Sequence, residues 1–121
     1  MNKRILIIED DENVRETLEF LLRHNGFTIS TCSSGRDFFN TIKRTAPDLI
    51  LLDIVLGELD GRDICKMIKD RTETAHIPII IISSVHDIFN SILDQNANDV
   101  IPKPFTEEVL LNRVQRQLSV I

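Results

Sequence analysis

Three continuous apolar runs constrain this chain more than any other feature. They lie within "RILIIED" (4–10), "DLILLDI" (48–54) and "IPIIIISS" (77–84). Each is strand-sized and far shorter than a bilayer-spanning helix needs. A strand that is apolar on both faces must be covered on both sides, which is the condition of a parallel sheet between helices. The segments between the runs supply those helices. "DENVRETLEFLLRHNG" sets Val14, Leu18, Leu21 and Leu22 on one helical face, starts with acid at Asp11 or Glu12, and ends at Gly26. "SSGRDFFNTIKRTAP" turns Phe38, Phe39 and Ile42 inward and stops at Pro47, and "GRDICKMIKDR" turns in Ile64, Cys65 and Ile68. "VHDIFNSILDQNA" predicts a fourth helix with Ile88, Ile92 and Leu93 on its core face. "FTEEVLLNRVQRQL" predicts a last helix with Leu110, Val114 and Leu118 in register and Val109 and Leu111 outside it. Two shorter strands, "FTISTC" (27–32) and "DVIPK", complete five βα units in series.

No linker, repeat or low-complexity segment divides the chain, so residues 1–121 form one domain. Fourteen basic residues against nineteen acidic ones give a net charge of −5, which argues against a nucleic-acid surface. The start, "MNKRILIIEDDE", has too short an apolar stretch for a signal peptide. Cys32 and Cys65 lack metal-site spacing, and reduced thiols in a cytoplasmic setting are the simplest reading.

An open parallel sheet binds ligands beyond the C-terminal ends of its strands. The residues following each strand are therefore the ones to read. Glu9, Asp10, Asp11 and Glu12 follow the first strand, Asp53 ends the third, Ser83 and Ser84 follow the fourth, and Lys103 follows the fifth. Carboxylates gathered in a cleft cannot all stay ionised without a counter-charge: either one pKa rises or a cation binds. A hard divalent ion such as Mg²⁺ takes oxygen ligands and leaves room for a phosphate oxygen. Lys103 adds a point charge, a serine adds a hydrogen bond, and a carboxylate can itself be the nucleophile. This set suggests phosphoryl transfer onto Asp53.

With those residues in place, the sequence resembles the receiver domain of two-component response regulators over essentially its whole length. "ILIIEDD", "DLILLDIVLGELDG", "IPIIIISS" and "IPKPF" occur in the family's order at compatible spacings. The resemblance implies a flavodoxin-like, doubly wound (βα)5 three-layer sandwich with sheet order 2-1-3-4-5. It implies that Asp53 is the phosphoacceptor. Glu9, Asp10, Asp53 and the backbone carbonyl of Val55 would hold Mg²⁺, and Ser83, the Ser84 amide and Lys103 would bind the phosphoryl group. Arg15 lies five residues after the second acid, where the family often has a basic residue. The bond from Lys103 to Pro104 is expected to be cis, and Pro102 suits an edge strand.

The implied function is a phosphorylation-dependent switch rather than an enzyme with turnover. A sensor histidine kinase or histidine phosphotransfer protein would be the donor. The fourth helix, fifth strand and last helix would form the surface for a downstream target, a fused output domain or a second copy of the chain. No output domain is visible, so a stand-alone regulator and the front piece of a longer one are both compatible.

Three departures stand out. Gly57 replaces a usual proline and frees that loop; Val100 replaces a usual Tyr or Phe, and a valine cannot make that ring's inward swing; Asn96 replaces a usual glycine. Val55 and Val85 are expected to flank the path of attacking water, and neither can orient it, which predicts slow autodephosphorylation.

Plainer roles suit other polar residues. Asp11, Glu12 and Asp60 read as helix-start or turn residues, the Ser84 side chain as a turn residue, His86 as an exposed helix-start residue, and His24 and His76 as structural. Other functions fit the residues less well. A flavin carrier needs a phosphate loop where this chain has "EDDEN", and an aspartate-nucleophile phosphatase needs an acid where this chain has Val55. A receiver-like interaction module working without phosphorylation is the alternative function.

Overall fold

A computed structural model describes residues 2–84 and 97–119. The five strands are β1 (Arg4–Ile8), β2 (Thr28–Cys32), β3 (Leu49–Asp53), β4 (Ile79–Ser83) and β5 (Asp99–Pro102). All neighbouring pairs are parallel, and the order is 2-1-3-4-5. The helices are α1 (Glu12–His24), α2 (Phe38–Thr45), α3 (Gly61–Asp70) and a C-terminal helix (Glu107–Leu118). The predicted fourth helix, with Val85, His86, Ile88, Ile92, Leu93 and Asn96, lies outside the described residues. No helix among those described is long and apolar enough to cross a membrane.

Every residue of β3 and β4 is buried, as continuous apolar runs in a doubly covered sheet require. Alternation along the strands divides the core in two. Leu6, Ile8, Ile50, Leu52 and Ile81 pack with α2 and α3 through Phe38, Ile42, Ile64 and Ile68. Ile5, Ile7, Leu49, Leu51 and Ile80 pack with α1 and the C-terminal helix through Leu18, Leu22, Leu110 and Val114. Full burial of each such side chain contributes about 1.5–3 kcal/mol, so the sheet is a rigid base for whatever its strand ends carry.

Helix starts follow the sequence. Asp11 caps α1 by accepting from the Val14 N–H (3.1 Å), Asp60 caps α3 by accepting from the Arg62 N–H (2.8 Å), and Thr106 caps the last helix through Val109 N–H (3.1 Å). Some details differ from expectation. Leu111 is half-buried against the core instead of outside the helix's inner face, while Val109 is exposed as predicted. Phe38 is buried, but Phe39 is only partly so, and the Arg71 guanidinium lies 3.9 Å over its ring. After β3 the chain forms a small antiparallel ladder, Val55–Leu56 against Leu59–Asp60, which the sequence reading lacked. Cys32 and Cys65 are not joined in a disulfide. Pro102 ends β5 on the sheet edge, and the Lys103–Pro104 peptide bond is cis.

Candidate phosphoacceptor and cation site

Register brings the polar strand ends together. Ile8 pairs with Leu52, Asp53 with Ile82, and Ser83 with Pro102. Glu9, Asp53 and Lys103 therefore leave neighbouring strands at one edge. The Lys103 Nζ donates to Glu9 Oε1 and to Asp53 Oδ2, each at 3.2 Å. Glu9 is 1% exposed and Asp53 7%, so these are buried carboxyl groups sharing one ammonium.

The loop after β1 is held from several directions. The Arg15 guanidinium donates to the Glu9 carbonyl (3.0 Å) and to that of Asp10 (3.5 Å). The Asp11 N–H donates to Glu9 Oε2 at 3.3 Å, and the Gly57 N–H donates to Asp10 Oδ2 at 3.0 Å. The Val55 N–H donates to Asp53 Oδ1 at 3.2 Å, so both Asp53 oxygens have partners. Buried Ser83 uses its carbonyl to accept the Lys103 N–H at 2.8 Å, and Ser84 is exposed beside it. The Val55 side chain is exposed at the mouth of the site.

The charges are unbalanced. Burial, with a hydrogen bond and charge repulsion from Asp53, pushes the Glu9 carboxyl up to about 8, and Lys103 only partly offsets this. Burial works against the charged Lys103, yet the attraction of Asp53 and Glu9 wins and raises its pKa. A bound cation would relieve the shortage of positive charge.

The donor set fits a hard cation. Glu9, Asp10 and Asp53 each offer a carboxylate oxygen, and these atoms lie within 4.8 Å of one another. Octahedral Mg²⁺ with oxygens at about 2.0–2.1 Å separates opposite ligands by about 4 Å. Small side-chain movements therefore suffice to close the three oxygens around it.

All of the predicted site residues thus lie on this edge. Asp11 and Asp60 serve as helix caps, as expected. His24 stacks on exposed Phe20, with ring centroids 5.9 Å apart, and His76 is exposed away from the strand ends. Two contributors escaped the sequence reading. Gly61 sits so close to the end of β3 that a Cβ there would overlap the Asp53 carbonyl oxygen and lie 2.8 Å from Ile54 Cα. The Gly57 amide is the other, and its only sequence signal was the missing proline.

Comparison with known proteins agrees with this geometry. The family profile described as "Response regulator receiver domain" matches residues 5–115. Response regulator MprA of Mycolicibacterium vanbaalenii is 32% identical over 120 residues, covering 98% of this chain and 51% of that protein. The chain thus spans about half the length of the curated relatives it matches. The fluoroberyllate-activated N-terminal receiver domain of Klebsiella pneumoniae RstA superposes with a TM-score of 0.88 at 28% identity, covering 98% of this chain and 100% of that one. The receiver domain of sensor histidine kinase PA1611 from Pseudomonas aeruginosa, described with a magnesium ion coordinated in its active-site cleft, gives 0.89 at 25% identity, covering 99% and 100%.

Proposed function

The chain belongs to the response regulator receiver domain family, and from that premise we propose that Asp53 accepts a phosphoryl group from a phosphohistidine donor. The observation that carries this reading is Lys103 Nζ at 3.2 Å from both Asp53 and Glu9. It sets a buried nucleophile and a phosphoryl-binding cation side by side.

An Asp53 carboxylate oxygen attacks phosphorus as the phosphorus–nitrogen bond to the donor imidazole breaks, and the imidazole nitrogen takes up a proton from solvent. The product is an acyl phosphate. Lys103 pairs with a phosphoryl oxygen as the charge it now shares with Asp53 moves outward, and the Ser83 hydroxyl and the Ser84 amide donate to the remaining oxygens. Glu9, Asp10, Asp53 and the Val55 carbonyl would hold Mg²⁺. When bound, the ion supplies positive charge that draws the dianionic phosphoryl group to three carboxylates. The magnesium ion described in PA1611 supports this assignment.

Sensor histidine kinases or histidine phosphotransfer proteins are the donors, in the cytoplasm, and the chain acts as a switch without turnover of its own. The added dianion biases the surface around β5 and the C-terminal helix toward a state that binds a downstream partner. Val100 is 5% exposed and packed in the core, so the switch works without an aromatic rotamer at that position.

The test is NMR mapping with Mg²⁺ and fluoroberyllate or a small phosphoryl donor. Wild type should show shifts at the strand ends and in β5. If Asp53→Asn responds as wild type does, the reading is wrong.

A further inference from the structure

Asp10 differs from the other two acids of the site. Glu9 and Asp53 are buried and share Lys103, whereas Asp10 is exposed and makes no ion pair among the described residues. A carboxylate on an exposed loop can turn to solvent, so something must hold it in place if it is to act as a ligand. Arg15 fixes the backbone, through the carbonyls of Glu9 and Asp10. The carboxylate itself has one hydrogen bond among the described residues, from the Gly57 N–H to Oδ2 at 3.0 Å, across 47 positions of sequence.

That amide is aimed by a specific turn. Leu56 pairs with Leu59, which leaves Gly57 and Glu58 as a two-residue hairpin loop. Gly57 has φ +61, and Glu58 is not among the residues of positive φ. Glycine at the first central position with that sign is a type II′ turn. The family's usual proline could adopt neither this φ nor donate a hydrogen bond, because its ring fixes φ near −65° and it has no N–H. The departure that seemed only to loosen the loop therefore gives it a donor.

We propose that the Gly57 backbone amide is a positioning donor for Asp10, holding one carboxylate oxygen and leaving the other available to the cation. The proposal rests on the reading of Glu9, Asp10 and Asp53 as a Mg²⁺ site. It ties the phosphoacceptor loop to the acidic loop, so the affinity of the site depends on the turn as well as on the ligands.

Two measurements test it. The first is amide hydrogen exchange in metal-free protein. The Gly57 N–H should exchange at least tenfold more slowly in wild type than in Asp10→Ala, and equal rates would mean that the bond is absent and the proposal wrong. The second is Mg²⁺ titration followed by NMR, alongside melting curves. Gly57→Pro should weaken Mg²⁺ binding at least tenfold. Gly57→Asn keeps the N–H, at the cost of a backbone strain in this turn that the melting curves read, so it should bind Mg²⁺ at least threefold more tightly than Gly57→Pro. Gly57→Pro binding like wild type, or Gly57→Asn failing as badly as proline, overturns the proposal. Wild type failing to bind Mg²⁺ refutes the underlying functional reading instead, and the exchange measurement still judges the hydrogen bond.

Discussion

Replacing Gly61 by alanine measures how tightly α3 is seated against the strand that carries Asp53. Two effects of opposite sign compete. Alanine is the better helix former by about 1 kcal/mol in a helix interior, and by less at a first position. Against this, the new Cβ would overlap the Asp53 carbonyl oxygen and lie 2.8 Å from Ile54 Cα, where ordinary contact begins at 3.4 Å. Both obstacles are backbone atoms, so no rotamer change relieves them. The start of α3 must retreat by on the order of 1 Å, and overpacking of this kind costs about 1–3 kcal/mol. The retreat also stretches the hydrogen bond from the Gly61 N–H to the Ile54 carbonyl, now 2.7 Å, worth about 1 kcal/mol. The steric side wins, with a net loss of about 1–3 kcal/mol. A domain of this size changes its melting temperature by about 3–6 °C per kcal/mol, so Tm should fall by about 3–18 °C in a circular-dichroism melt. Displacing the nucleophile matters as well, since an ångström of misplacement costs on the order of 10²-fold in rate. Acyl phosphate formation from a small donor should slow accordingly. A Tm equal to or above that of wild type would show that propensity prevails and refute the reasoning.

Three further outcomes are expected. Ala46 caps α2 in a left-handed conformation (φ 46, ψ 62), so Ala46→Gly should stabilise the fold by about 0.5–1 kcal/mol; a lower urea midpoint would contradict this. Asp60→Ala removes the α3 cap and should cost about 1–2 kcal/mol at pH 7. Hydrogen bonds from Arg62 hold the Asp60 carboxyl below its ordinary value of 3.8, so its contribution is present above that value and is lost as pH falls through the lower folded one; urea melts at pH 7 and near pH 2 should show the gap closing. Val55→Asn places an amide able to orient water at the mouth of the site and should shorten the acyl phosphate lifetime, while unchanged decay in this variant would count against an apolar block.

Much of this structure is legible in the sequence because it follows from local period and strand direction. The runs at 5–8, 49–52 and 79–82 are apolar on every residue, and only a doubly covered sheet accommodates them. Once β1, β3, β4 and β5 are parallel, Glu9, Asp53, Ser83 and Lys103 have to meet. The remainder depends on contacts that no window of sequence contains. The constraint on Gly61 comes from the Asp53 backbone, and the Gly57 donor matters only because Asp10 lies opposite it. Leu111 packs against the core because it stands three and seven residues before Val114 and Leu118, on the border of the same helical stripe, which is wider than the face predicted from Leu110, Val114 and Leu118.

The last rung of the sheet has a consequence for the lysine. In this parallel register the Pro102 nitrogen faces the open edge of the sheet, and the Ser83 carbonyl takes its hydrogen bond from the next residue, Lys103, at 2.8 Å. The residue that carries the ammonium is thus also the residue that closes the ladder. A long, flexible side chain is measured from a fixed origin, and the ammonium nitrogen at its end lies 3.2 Å from two different carboxylate oxygens. The strand end acts as a gauge of length. Arginine would bring the same charge on a longer arm with a planar head, so at this position reach, as much as sign, decides which cation serves.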